Sequence, residues 1–82
     1  MLGKELKNAR ETAGLSQEQL AFAAEIDRSY VSLLENDKKS PTLDVIFRIS
    51  DAIGIQASEL ISRVEKTRRP KPAAKSAKQR RR

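Results

Sequence analysis

Gln17-Glu18-Gln19-Leu20-Ala21-Phe22-Ala23-Ala24-Glu25-Ile26-Asp27-Arg28-Ser29-Tyr30-Val31-Ser32-Leu33-Leu34-Glu35-Asn36 is the stretch that decides how this 82-residue chain folds. Its apolar residues fall at helical spacing twice, with a break between the two runs. Leu20, Ala21 and Ala24 share one face of the first run. Val31 and Leu34 share one face of the second. Ile26 lies at the break, and Asp27 follows it as a suitable N-cap. Two short helices that cross steeply need a small residue where they approach, and Ala21 supplies it. They also need apolar contacts to hold the angle, and Leu20, Ile26, Val31 and Leu34 supply those. The spacing predicts a helix-turn-helix over residues 17–36. Ordinary bundles also contain short apolar helix pairs, so the flanking sequence has to carry part of the argument.

Working outward, Leu2, Leu6, Ala9 and Ala13 predict a first helix over 2–13. Gly14 follows as a left-handed cap. Ser16 and Gln19 form a capping box ahead of a second helix over 17–24. The third helix is expected over 28–36. Asn36 to Pro41 is polar and turn-like, with Lys38 and Lys39 inside it. Thr42 caps a fourth helix over 43–53, whose apolar face is Leu43, Ile46, Phe47, Ile49 and Ile53. Gly54 ends it. A fifth helix over 57–65 carries Leu60, Ile61 and Val64. No segment alternates with period two, so the expected fold is all-α with five helices.

The charge divides along the chain. Residues 1–65 hold eight Lys and Arg against all eleven acids, a net −3, while residues 66–82 hold nine Lys and Arg and no acid. The overall +6 therefore belongs to the second part. Beyond Thr67 there is no Leu, Ile, Val or aromatic residue to offset the entropy of ordering. The expected organisation is one domain over 1–65 and a basic, disordered tail over 66–82. Global charge is consequently no argument for nucleic-acid binding.

Other classes are excluded by what is missing. The chain has no Cys and no His. That removes disulfides, thiolate metal sites, zinc fingers, and the commonest general base and metal ligand. No paired-carboxylate site or phosphate-binding loop is apparent, so no enzyme, metal or cofactor is expected. No apolar run approaches the roughly 20 residues needed to span a bilayer. The N-terminal residues lack a signal-peptide stretch. A cytoplasmic protein associated with the nucleoid is the expectation.

Several separated blocks then match one family in order. Gly14-Leu15-Ser16-Gln17-Glu18-Gln19-Leu20-Ala21, Ile26-Asp27-Arg28-Ser29-Tyr30-Val31-Ser32, Leu34-Glu35-Asn36 and Pro41-Thr42-Leu43 resemble the lambda-repressor and Cro-like (Xre) helix-turn-helix family. The resemblance runs from about residue 3 to 61. Asp27 to Ser32 looks most like the controller proteins of restriction–modification systems. The resemblance implies a five-helix DNA-binding domain with helices 2 and 3 as the helix-turn-helix. It also implies that Arg10 and Glu35 form a structural ion pair joining helix 1 to the end of helix 3. Two departures stand out. The family commonly has Gly at the turn, where this chain has Glu25, and favours Gly after the third helix, where this chain has Asp37.

Helical geometry of about 100° per residue assigns the face opposite Val31, Leu34 and Glu35. It carries Ser29, Ser32, Leu33 and Asn36, flanked by Arg28 and Tyr30. The first turn of a recognition helix reaches base edges in the major groove. Arg28 is the strongest candidate, because its planar fork matches guanine O6 and N7; the competing reading is a salt bridge to Glu25 or Asp27. Ser29 and Ser32 suit bases or phosphates, or plain solvated positions. Tyr30 either meets DNA or packs partly against the fold. Leu33 either meets a thymine methyl or is a stray exposed residue. Gln17 stands at a helix N-terminus, where backbone N–H groups favour a phosphate, and the resemblance implies that contact. Lys38 and Lys39 follow as phosphate candidates.

Family members mostly bind palindromes as twofold dimers. The resemblance therefore implies double-stranded DNA and a second copy of the chain as partners. Leu60, Ile61 and Val64 exceed what a small core needs on so short a helix, so with Phe47 they are the candidate dimer interface. The leading function is sequence-specific transcriptional regulation, as a repressor or a restriction–modification controller. An antitoxin with a toxin partner, or a coactivator bridging proteins, would use the same fold. The tail either adds phosphate contacts, or is a solvated end, or binds RNA, a membrane surface or a protein.

Overall fold

The computed structural model describes residues 2–68. It contains α1 (Leu2–Thr12), α2 (Gln17–Ala24), α3 (Arg28–Glu35), α4 (Leu43–Ile53) and α5 (Ala57–Thr67). There is no strand among the described residues. The five expected helices are all present, so the all-α fold is as expected. α2 packs on α3 and α4, α1 on α3 and α5, and α4 on α5.

The start signals work as hydrogen bonds. Ser16 Oγ accepts from the Gln19 N–H at 3.0 Å, and Gln19 Oε1 accepts from the Ser16 N–H at 2.8 Å. Each satisfies a donor that the first turn leaves without a helical partner. Thr42 Oγ1 does the same for the Val45 N–H at 3.1 Å. Asp27 stands at the N-cap of α3 in extended backbone but makes no side-chain capping bond. The expected cap is therefore present in position only.

The stop signals share one architecture. Gly14, Glu25, Asp37 and Gly54 all have positive φ. After α1, the Gly14 N–H reaches the Glu11 carbonyl and the Leu15 N–H reaches that of Arg10. After α2, Glu25 N–H reaches Phe22 and Ile26 N–H reaches Ala21. After α3, Asp37 N–H reaches Leu34 and Lys38 N–H reaches Leu33. These three ends are Schellman motifs, which close otherwise orphaned carbonyls through a left-handed residue.

The core is Leu6, Leu20, Ala21, Ala24, Val31, Leu34, Ile49 and Leu60. Each fully buried aliphatic residue contributes about 1.5–3 kcal/mol by leaving water. Three expectations need correction. Leu60, assigned to a dimer interface, is fully buried and sits in this core, so it has no surface to offer a second copy. Leu43, counted on the apolar face of α4, is 62% exposed at the first residue of that helix. Ala13 is exposed past the end of α1. Ser50 takes an inner position of α4 instead, 1% exposed, and its hydroxyl has no hydrogen-bond partner among the described residues.

Two boundaries also move. α3 stops at Glu35, one residue early, because Asn36 leaves helical geometry ahead of the left-handed Asp37. α5 runs to Thr67, two residues past the expected domain end. Glu65 and Lys66 are good helix formers, and Thr67 Oγ1 donates to the Val64 carbonyl at 2.8 Å. The disorder expected of the tail falls, from residue 69 onward, outside the described residues.

Candidate nucleic-acid interface

The site is built around α3, and its rear is fixed by charge. Arg10 Nε donates to Glu35 Oε2 at 2.6 Å and Nη2 to Oε1 at 3.1 Å, a two-pronged pair between α1 and the last residue of α3. Arg10 Nη1 donates to the Leu15 carbonyl at 2.8 Å. The two side chains are only 9% and 3% exposed. Charged groups this deep are tolerated because geometry and extra hydrogen bonds compensate their lost water. The Glu35 hydrogen bond raises the Arg10 pKa further above its ordinary value, more than burial lowers it.

Gln17 belongs to this cluster as well as to the start of α2. Its Nε2 donates to Glu35 Oε1 at 3.0 Å. The side chain expected at a phosphate is thus held against the brace, with its amide tied to α3. Gly3 completes the rear support. It is buried in the first turn of α1, and a Cβ there would collide with the Glu35 carbonyl. Its N–H donates to Asp37 Oδ1 at 2.9 Å. That bond, first among the causes, holds the Asp37 carboxyl below its ordinary pKa.

The front of α3 is open. Arg28, Ser29, Leu33 and Asn36 are exposed, and Ser32 is half-buried. Arg28 makes no ion pair among the described residues, so the alternative of a bridge to Glu25 or Asp27 is not what the structure contains. Asn36 Nδ2 donates to the Ser32 carbonyl at 2.8 Å and lies 3.5 Å from Ser32 Oγ. These two residues therefore act as one polar unit on the helix's last turn. Tyr30 is half-buried and packs against the core, which is the structural alternative weighed for it. Lys38 and Lys39 are exposed just beyond α3, and the Lys38 N–H helps close that helix. Leu33 is 37% exposed.

Of the proposed dimer residues, Phe47 is 51% exposed and Ile61 44%. Val64 is half-buried. Leu43 joins this apolar set, and Leu60 leaves it.

Sequence reasoning missed Gly3, Phe22 and Arg48. A glycine inside a helix is costly, which signals a close approach, so Gly3 was detectable. Phe22 is 87% exposed. Its position, off the Leu20 and Ala24 stripe, was the available signal. Arg48 Nη1 donates to the Glu25 carbonyl at 3.4 Å, linking α4 to the turn, and no local pattern announces that contact. Among the described residues no cluster of metal-ligating side chains occurs, and no helix is long and apolar enough to cross a membrane.

The helix-turn-helix family HTH_3 matches residues 6–60. Control protein C.MunI of Mycoplasma sp is 43% identical over 65 residues, 78% of this chain and 88% of that protein. Control protein C.BamHI of Bacillus amyloliquefaciens is 34% identical over 62 residues, 74% of this chain and 76% of that protein. The crystal structure of the restriction–modification controller protein C.AhdI from Aeromonas hydrophila superposes with a TM-score of 0.70 at 39% identity, covering 72% of this chain and 89% of that one. The chain belongs to the Xre-like helix-turn-helix family HTH_3, whose members are DNA-binding transcriptional regulators rather than enzymes, and restriction–modification controller proteins are among its relatives.

Proposed function

We propose that this chain binds a palindromic operator in double-stranded DNA as a homodimer, and so represses or controls transcription in the manner of a restriction–modification controller. One observation carries the reading. α3 is clamped from behind by Arg10, Glu35 and Gly3, while its outward side presents Arg28, without an ion pair among the described residues, with Ser29, Ser32, Leu33 and Asn36. A clamped helix with a polar outward face is what direct readout in the major groove requires. The N-terminus of α2 and the exposed Lys38 and Lys39 supply phosphate contacts on either side. Leu43, Phe47 and Ile61 supply the surface where two copies meet. The twofold axis then sets the two α3 helices about 34 Å apart, one turn of DNA. The basic residues past Thr67 add further phosphate contacts.

Selection of bound DNA from a random pool tests the whole reading. Enrichment of a twofold-symmetric site is expected, and absence of enrichment overturns it. Replacing Arg28 by Ala is expected to cost about 1–3 kcal/mol and to relax preference at one base pair per half-site. Uniform weakening on all sequences reassigns Arg28 to a phosphate. Phe47→Asp with Ile61→Asp is expected to shift sedimentation from dimer to monomer. Each phosphate contact made beyond Thr67 adds about 0.9 to the salt slope of binding. A truncation there that leaves the slope unchanged removes that part.

A further inference from the structure

A shallow cleft of mixed polar and apolar surface opens at the turn of the helix-turn-helix, lined by Phe22, Ile26 and Tyr30 beside the buried Ala21. Phe22 is almost wholly exposed on it. Two carboxylates, Glu25 and Asp27, stand on its rim. Neither has an ion-pair partner among the described residues. An aromatic surface edged by unpaired carboxylates suits a cationic, otherwise weakly apolar occupant, because Arg and Lys stack on ring faces while their charge meets the acids. DNA phosphates are the wrong sign for this cleft.

The chain itself carries a matching segment. Residues 69–82 contain seven Lys and Arg, no acid, and Ala and Pro as their only apolar residues. We propose that residues 75–82, with Lys75, Lys78, Arg80, Arg81 and Arg82, dock on the Phe22–Tyr30 cleft of the same molecule when DNA is absent, with Glu25 and Asp27 as their charge partners. The path is long enough. From Arg68, at the end of α5, an extended chain reaches roughly 23 Å to Lys75 and roughly 46 Å to Arg82. A domain of this size has a radius of gyration of about 11 Å. Tethering raises the effective concentration to the order of millimolar, so individually weak contacts suffice. The docked segment neutralises the acidic rim next to Arg28. Its release on DNA would follow from the function proposed above, on which only that consequence rests.

The absence of native cysteine allows a direct test on the full chain. Ser76→Cys carries a nitroxide label, and amide intensities of the isotopically labelled protein are read by NMR without DNA. Selective loss of intensity from Phe22 to Tyr30 is expected at about 0.1 M salt and is expected to fade near 1 M, where the screening length falls from about 10 Å to about 3 Å. The loss is also expected to disappear in Glu25→Gln/Asp27→Asn, with the rest of the spectrum in place. Loss spread evenly over the domain, or centred elsewhere, overturns the proposal. So does loss that persists in the neutralised variant. Loss seen only between labelled and unlabelled copies assigns the cleft to a second molecule and overturns docking within one chain. No DNA enters the measurement, so its failure leaves the DNA-binding reading intact.

Discussion

Glu25 after α2 and Asp37 after α3 hold nearly the same backbone, with φ of 60° and 56°. Both close their helices with the hydrogen-bond pattern that Gly14 completes after α1. Both also set a carboxylate at the negative end of a helix, where the dipole disfavours it. Their surroundings differ. Asp37 is tied to the Gly3 N–H, beside the Arg10–Glu35 pair and the tight contact of α1 on α3. The Glu25 turn has the exposed Arg48 on its carbonyl at 3.4 Å and an open aromatic cleft beside it. Equal strain is thus offset on one side of the recognition helix and largely uncompensated on the other. The helix is anchored at its C-terminal end, and its N-terminal end, which carries the proposed base-reading Arg28, is left comparatively open.

If the C-terminal anchor is real, the largest effect belongs to its ion pair. Glu35→Ala leaves Arg10 buried without its partner. The expected cost is about 3–5 kcal/mol, a large share of the 5–15 kcal/mol typical of a small domain. Denaturant unfolding measures it. Gly3→Ala drives a methyl into the Glu35 carbonyl, at an expected cost of about 1–3 kcal/mol as an overpacked contact. If both substitutions cost less than about 1 kcal/mol, the anchor is not what holds α3, and the contrast between the two turns collapses.

How much of this contrast was legible beforehand depends on range along the chain. The helices, the Ser16 and Thr42 caps and the inward residues Leu20, Ala21, Val31 and Leu34 are written in local spacing, and they stand where spacing put them. Arg10 and Glu35 lie 25 residues apart. No periodicity joins them, and only resemblance to a family did. Leu60 was misplaced because counting apolar residues on α5 does not reveal which of them α1 and α4 cover. Ser50 shows the converse, a polar residue on an inner face that patterning assigns to solvent. Phe22 was passed over because the amphipathic count follows the buried stripe, and an aromatic standing off that stripe was the one signal left unread. For Glu25 and Asp37 the family resemblance, not local spacing, marked the unusual backbone. It did not reveal which of the two has support, because that support comes from Gly3, at the far end of the chain's fold.

Replacing each left-handed acid by glycine sharpens the comparison. Glu25→Gly removes the cost of a side chain at positive φ, about 1–2 kcal/mol, and a charge the dipole opposes. Part of that gain is offset by the freer unfolded chain, about 0.4–1 kcal/mol. A net stabilisation of about 1 kcal/mol is expected, seen as a higher denaturation midpoint with an unchanged slope. Asp37→Gly gains the same relief and loses the bond to Gly3, so it is expected to be neutral or destabilising. Equal gains at both positions show that the Gly3 bond contributes nothing to the fold.

The smallest expected effect isolates that bond by its charge. The Gly3 N–H holds the folded Asp37 carboxyl below its ordinary value, whereas the unfolded chain returns it to about 3.9. A lowered folded pKa means that the fold favours the ionised form. The resulting stability is fully present above the unfolded value and is lost as pH falls through it toward the folded one. Asp37→Asn keeps the shape and removes the charge. The stability gap between it and the original protein is therefore expected to be widest near neutral pH and to close below about pH 4. The gap is small because the carboxylate is exposed and solvent screens it. Thermal melts of both proteins across that range measure it. A gap that stays constant from neutral to acid means the ionised carboxylate is not what steadies this turn. Support at the end of α3 would then reduce to Arg10, Glu35 and the close packing of Gly3, and the two turns would differ by their neighbours alone.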